Sequence, residues 1–270
     1  MLFTMEGFMT RKIVVTSGKG GVGKTTVLAN LGLRFALAGK RVCMIDADVG
    51  LNNLDMVTAC ENLVVYDLAD CIEGRCRPKQ ALIQTRISKN AYVLPSFHTI
   101  SGVQFSFDSF SDLIEGLSTS FDFILIDCPA GIGESFRRAV YSADEALLVT
   151  TPHLSSLRDA DKVLANLRGM KIGSVKLVVN RVRGDLVATN RVISPEDIEK
   201  TLKCKIAGII PEDDNAFLCN AGEIPPESPS YKAFKLLARN LVLDKYKAYD
   251  YAKDYRGFLG GIRRVLKRSL

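Results

Sequence analysis

Ser17-Gly18-Lys19-Gly20-Gly21-Val22-Gly23-Lys24-Thr25-Thr26 decides how this chain reads. It follows the apolar run Ile13-Val14-Val15 and precedes a helically spaced stretch from Val27 to Leu37, so it is a glycine-rich turn leading from strand into helix. Gly18 to Thr25 satisfies G-x-x-x-x-G-K-T. The glycines let successive backbone N–H groups turn inward at the positive end of the following helix, where they cradle phosphate oxygens. Lys24 is then placed to reach the β- and γ-phosphates. Thr25 offers a hydroxyl to Mg²⁺, a cation that wants near-octahedral oxygen ligands and takes few of them from protein. A turn that merely joins strand to helix would not need every fixed position filled between elements of the required type. A nucleoside triphosphate with Mg²⁺ is the implied ligand, and Gly18, Lys19, Gly20, Gly21, Val22, Gly23, Lys24, Thr25 and Thr26 are its candidate binding loop.

Outward from the loop, strands alternate with helical stretches, which predicts a doubly wound α/β fold, a mostly parallel sheet with helices on both faces. A second strand, Arg41 to Ile45, ends at Asp46-Ala47-Asp48, and a third, Ala91 to Leu94, stops at Pro95. The apolar run Phe121 to Asp127 closes on an acid and leads into Cys128-Pro129-Ala130-Gly131. Ligands of such sheets bind beyond the carboxyl ends of the strands, so Asp46, Asp48 and Asp127 gather near the phosphate loop. Asp127 is expected to hold Mg²⁺, against the plainer role of capping the next helix. Asp46 and Asp48 lie two positions apart, and one should approach the metal while the other faces the γ-phosphate. Buried strands at Glu145 to Pro152, Val175 to Asn180 and Ile206 to Ile210 complete the sheet, with a helix from Ser155 to Leu167 between the first two. Asn180 at a strand end can read an adenine edge as donor and acceptor together, although Asn is also common in turns. Ile224 to Pro229 is proline-rich and not expected to be helical.

With 270 residues, 47% hydrophobic and 24% charged, the composition is that of an ordinary globular protein. Seven cysteines show no C-x-x-C pair, which favours reduced, mostly buried thiols and a cytoplasmic setting. The first ten residues carry Leu2, Phe3, Phe8 and Met9 without a basic region, so they read as a frayed extension rather than a signal peptide or span. The net charge of +6 is concentrated at one end: Arg256, Arg263, Arg264, Lys267 and Arg268 are not offset by any acid after residue 255, leaving the body nearly neutral. That distribution argues against a broad nucleic-acid surface and for one local anionic partner. On a helical wheel Phe258, Leu259, Ile262, Val265 and Leu266 fall, with Leu270, within an arc of about 140°, and the basic residues lie opposite. The pattern is that of an interfacial membrane helix rather than one docked on the protein's own core. The organisation expected is an extension over 1–10, an ATPase domain over 11–253 and an amphipathic membrane-targeting tail over 254–270.

Lys19 stands inside the loop where an ordinary phosphate loop tolerates any residue. As Lys19-Gly20-Gly21-Val22-Gly23-Lys24-Thr25-Thr26 the segment resembles the deviant Walker A loop, whose early lysine reaches across a dimer to the partner's nucleotide. Asp46-Ala47-Asp48-Val49-Gly50-Leu51-Asn52-Asn53-Leu54-Asp55 is similar to the first switch of those ATPases. By that likeness Asp46 lies near Mg²⁺, Asp48 orients the attacking water, and Asp127 is the Walker B acid. Together with Val65-Tyr66-Asp67, Ala143 to Ala146, Ser155 to Asp161, Ile209 to Asp213 and the basic tail, their shared order resembles the MinD family over nearly the whole length from Arg11 onward. That family consists of membrane-associated ATPases of bacterial division-site placement.

The resemblance implies ATP and Mg²⁺ as cofactors, with Lys19, Lys24 and Asp48 as the hydrolytic set and Thr25, Asp46 and Asp127 around the metal. It also implies adenine flanked by Asn180 and Pro211, an ATP-dependent homodimer, and a partner face near Ser155, Asp159 and Asp161. The partners implied are a MinC-like inhibitor, a MinE-like or other activator, and an anionic membrane at the inner face of the cell. No specific nucleic acid is expected. His153 departs from the acid that usually follows the proline of its segment, which bears on the partner face, and Cys128 replaces a small residue. The alternatives are a related flagellar-number regulator or a ParA-like DNA-partitioning ATPase. The nearly neutral body argues against the second, and the spacing of Cys71 and Cys76 argues against an iron–sulfur carrier.

Overall fold

The computed structural model describes residues 9–48, 53–96, 106–170 and 172–255. The tail positions Phe258, Leu259, Ile262, Val265 and Leu266 lie outside the described residues, as do residues 49–52 of the switch-like motif and residues 1–8 of the extension.

Among the described residues eight strands form one sheet: β1 (Arg11–Ser17), β2 (Val42–Asp46), β3 (Ile83–Gln84), β4 (Ala91–Leu94), β5 (Phe123–Asp127), β6 (Glu145–Thr150), β7 (Ser174–Val182) and β8 (Ile206–Pro211). Their order is β3-β4-β2-β5-β1-β6-β7-β8, and every neighbouring pair is parallel except β3, which runs antiparallel to β4 at the edge. The central strands are apolar runs without alternation because a parallel sheet is covered on both faces. Val42 to Asp46 and Phe123 to Asp127 are buried at every position.

One face is covered by helices α2 (Phe107–Ser118), α3 (Glu134–Tyr141), α4 (Leu154–Gly169) and α5 (Pro195–Leu202), which contribute Phe110, Phe136, Leu164 and Ile198 to a core with Val14, Ile45 and Ile126. The other face is covered by α1 (Lys24–Leu37) and α6 (Pro229–Leu243), where Leu28, Phe35, Phe234 and Leu237 pack with Ile13, Met44 and Leu125. Phe35 stacks on Phe123 with ring centroids 4.2 Å apart. Each such ring, fully buried, contributes about 1.5–3 kcal/mol relative to exposure.

Local signals set the helix starts. Ser106 and Ser194 cap α2 and α5 by accepting from Ser109 N–H and Asp197 N–H. The stretch from Ile224 stays irregular until Pro229 opens α6 at the first helical position, which lacks an intrahelical N–H partner anyway. The sheet is the doubly wound arrangement read from the sequence. Only the two-residue β3 was not anticipated, being too short to carry a periodicity.

Candidate nucleotide site

The strand ends of β1, β2 and β5 deliver the site. The turn from β1 into α1 needs left-handed backbone at Gly21 (φ 78°) and Gly23 (φ 87°), which glycine adopts without a Cβ clash. Gly18 is needed for a different reason: a Cβ there would lie 2.3 Å from the Asp159 carbonyl carbon and 2.6 Å from Ala160 N, so the loop rests directly on the backbone of α4. On its other side the loop touches the end of β7, where Asn180 Nδ2 donates to Val22 O at 2.8 Å. Lys19 is exposed at the crest, its carbonyl accepting from Ser17 Oγ at 3.0 Å.

Parallel register places Asp46 of β2 directly beside Asp127 of β5. Both are 1% exposed, and Lys24, 9% exposed, sends its ammonium to Asp127 Oδ1 at 2.7 Å. Burial works against the Lys24 charge, and Asp127 outweighs it and holds the pKa above the ordinary lysine value. Asp46 is pushed up to about 7 by burial and then by the charge of Asp127, although N–H groups of Asp48 and Leu54 and the Lys24 charge pull the other way. Its oxygens accept from the N–H of Asp48 at 2.9 Å and of Asn53 and Leu54 at 3.3 Å, so Asp46 anchors both ends of the switch-like segment. Asp48 is half-buried, and desolvation raises its pKa against the pull of Lys24.

A cavity of about 490 Å³ opens over the loop, lined by Lys19, Lys24, Thr25, Asp48, Pro129 and Arg181 among others. An adjoining cavity of about 230 Å³ is lined by Gly23, Thr26, Asn180, Pro211, Glu212 and Phe234 among others, so the two residues expected at adenine share one pocket. The loop after Pro211 is held by Asp213, whose carboxylate accepts from Ser228 Oγ, from Ser230 Oγ at 2.7 Å and from Ser230 N–H at 3.0 Å. Burial raises the Asp213 pKa, but these hydrogen bonds prevail and hold it below the usual carboxylate value. Arg181 lines both cavities and was not singled out from the sequence. It sits in a strand irregularity that leaves no periodic signature.

The donor set fits ATP with Mg²⁺. Two buried carboxylates, Asp46 and Asp127, stand side by side with the Lys24 ammonium on Asp127; once Asp46 gives up its proton the cluster carries a surplus negative charge that a divalent cation would offset, and Thr25 lines the same cleft. Among the described residues no three or more His, Cys, Asp and Glu side chains form a ready-made metal cage. Mg²⁺ takes most of its ligands from water and phosphate oxygens. On α4, Ser155, Arg158 and Asp161 are exposed and Asp159 is partly buried, its carboxylate 3.5 Å from Lys162. All four stand on the helix whose backbone supports Gly18.

Residues 10–176 match the model of a family described as an AAA domain. The septum site-determining protein MinD of Synechocystis sp. is 42% identical over 263 residues, covering 96% of this chain and 99% of its own length. In the MinC:MinD cell division protein complex of Aquifex aeolicus a solved chain superposes with TM-score 0.82 at 39% identity, over 88% of this chain and 98% of that one. The MinD of Pyrococcus horikoshii, solved in complex with Mg-ADP, superposes with TM-score 0.76 at 33% identity, over 88% of this chain and all of that one (100%). Loop, buried acids and sheet order thus coincide with similarity along nearly the full length, and the chain belongs to the MinD family of P-loop ATPases.

Proposed function

We propose that this protein is an ATP-driven switch for division-site placement, in which bound ATP joins two copies and hydrolysis times their separation. The observation that carries the reading is the buried Lys24–Asp127 pair beside Asp46, with an exposed Lys19 at the crest of the same loop. Asp127 holds the Lys24 ammonium at 2.7 Å beside the loop. When ATP binds, Lys24 turns to the β- and γ-phosphates and the loop N–H groups take up the phosphate oxygens. Asp127, Asp46 and the Thr25 hydroxyl are the groups that would hold Mg²⁺, and the ion would supply neutralisation of the charge that builds on the phosphates. Asp48 holds the attacking water in line, and Lys19 of each copy neutralises charge on the opposite nucleotide. Catalysis of this kind is positioning and electrostatics, so a lone copy lacking the second Lys19 is a slow enzyme.

Pro211 flanks adenine together with Asn180, whose carboxamide oxygen serves the base while its Nδ2 stays on the Val22 carbonyl. The α4 face around Ser155, Asp159 and Asp161 receives a MinC-like inhibitor and a MinE-like activator; the Aquifex aeolicus relative was solved with MinC. The tail carries the ATP-bound pair to the inner face of the membrane as a peripheral protein. Analytical ultracentrifugation with ATP and Mg²⁺ tests the core of this reading. Wild type sediments as a dimer, Asp48→Ala as a dimer with little turnover, and Lys19→Ala as a monomer. A wild type that stays monomeric, or an Asp48→Ala form with normal turnover, sinks the two-lysine mechanism.

A further inference from the structure

The parallel ladder between β7 and β8 breaks at the nucleotide end. Val179 pairs with Ile209 and Val182 with Pro211, so Asn180 and Arg181 together oppose a single residue of β8. Arg181 takes φ 54°, left-handed backbone in a residue that carries a Cβ. Such a conformation is strained and persists where the surroundings impose it; bulges of this kind re-aim side chains next to functional sites.

The two bulged residues go to different places. Asn180 is buried and its amide is committed to the Val22 carbonyl at 2.8 Å; a Cβ on Gly23 would lie 2.4 Å from that amide nitrogen, so the brace is tight. Arg181 is exposed, and the same imagined Cβ lies 4.0 Å from its Nε, which puts the guanidinium over the loop at Gly23. Among the described residues it has no hydrogen-bond or ion-pair partner. Its neighbour in chain, Arg183, is by contrast held by Asp185 at 2.7 Å. Gly23, Thr26 and Arg181 are the residues common to the phosphate cavity and the base cavity, and Arg181 is the one charged group among them. On the ATP reading above, the place where those cavities meet is where the first phosphate would join the nucleoside.

We infer that the bulge divides two tasks, Asn180 bracing the phosphate loop from behind while Arg181 grips the first phosphate of the bound nucleotide through its guanidinium fork. This rests on the ATP reading above. A guanidinium presents paired donors matched to phosphate oxygens and stays charged, whereas a lysine would supply only a point charge. The backbone strain at Arg181 is then the cost of placing that fork beside the loop.

Arg181→Gly separates the two contributions, because glycine accepts the left-handed backbone without strain and removes the cation. Titration with fluorescent N-methylanthraniloyl-ADP, with unlabelled ATP and adenosine as competitors, gives the affinities, and thermal melting without nucleotide reports the fold. Arg181→Gly melts at or above the wild-type temperature, binds ADP and ATP about tenfold more weakly and leaves adenosine competition unchanged; Arg181→Lys falls between. Arg181→Asn, which also tolerates left-handed backbone, repeats the loss should the glycine variant fold poorly. Wild type that binds ATP while Arg181→Gly and Arg181→Asn bind ADP as tightly overturns the role of Arg181 alone. An equal loss for adenosine overturns it as well, and a wild type that binds no ATP overturns the reading beneath it.

Discussion

Asp46 and Asp127 lie side by side in a dry strand pair with one ammonium near them, and their chemistry sets how the nucleotide-free protein responds to pH. Asp46 holds its proton up to about 7 in the folded chain, against an ordinary value of 3.8. The folded state therefore binds that proton more tightly than the unfolded chain does. The resulting stability is fully present below the ordinary value and is lost as pH rises through the folded one. Asp46→Asn removes this dependence and stabilises the nucleotide-free protein at pH 8 by about 2 kcal/mol, with little effect at pH 4.5. Urea unfolding at the two pH values checks it, and equal destabilisation at both would contradict it. At this scale much was legible in the sequence: Lys24, Thr25, Asp46, Asp48 and Asp127 are drawn together because each ends or follows an apolar strand or closes the glycine loop. The anchoring of Asn53 and Leu54 N–H on Asp46 was not, since a backbone partner seven or eight residues away has no sequence mark.

At the scale of elements, helix and strand positions followed from apolar runs and caps, and the seam between elements did not. The Gly18 position looked like one more loop glycine, yet its role is set by α4, some 140 residues later, whose backbone leaves no room for a Cβ. Gly18→Ala is expected to destabilise by about 1–3 kcal/mol and to weaken ATP binding, because α4 or the loop must shift. Gly20→Ala, at a position with nothing within 4 Å of an added Cβ, is the control and leaves the melting temperature nearly unchanged. Comparable losses from both would place the effect in backbone flexibility instead. The Asn180–Arg181 bulge escaped the sequence reading for a related reason: an inserted residue breaks the alternation that identifies a strand and leaves no pattern of its own. On the outer surface of α4, Asp159→Ala with Asp161→Ala should keep basal ATPase and lose its stimulation by an activator, as a coupled phosphate-release assay would show; full stimulation would refute that face.

For the whole molecule, the switch proposed above needs an output, and the basic tail is the candidate for it. Each cation near an anionic surface contributes about 1 kcal/mol, which ordering and salt reduce to weak binding for one tail, and a dimer presenting two gains avidity of about 10² or more. Vesicle co-sedimentation should need anionic lipid and ATP, fall with salt, and vanish on truncation before Arg256 or with Phe258→Glu and Ile262→Glu together. Sedimentation of the truncated protein would refute it. The contact between Gly18 and the backbone of α4 bears on this cycle as well. On the partner face proposed above, a helix that meets the phosphate loop on one side and solvent on the other would be a shared wall between two ligands. Whatever factor a protein docked on that wall imposes on nucleotide affinity, nucleotide must return to the docked protein, since the free energy around the cycle closes. Partner affinity measured with ADP and with ATP would therefore read out the coupling across that wall, and Gly18→Ala is expected to change the ratio although the substituted residue is not on the exposed surface of α4.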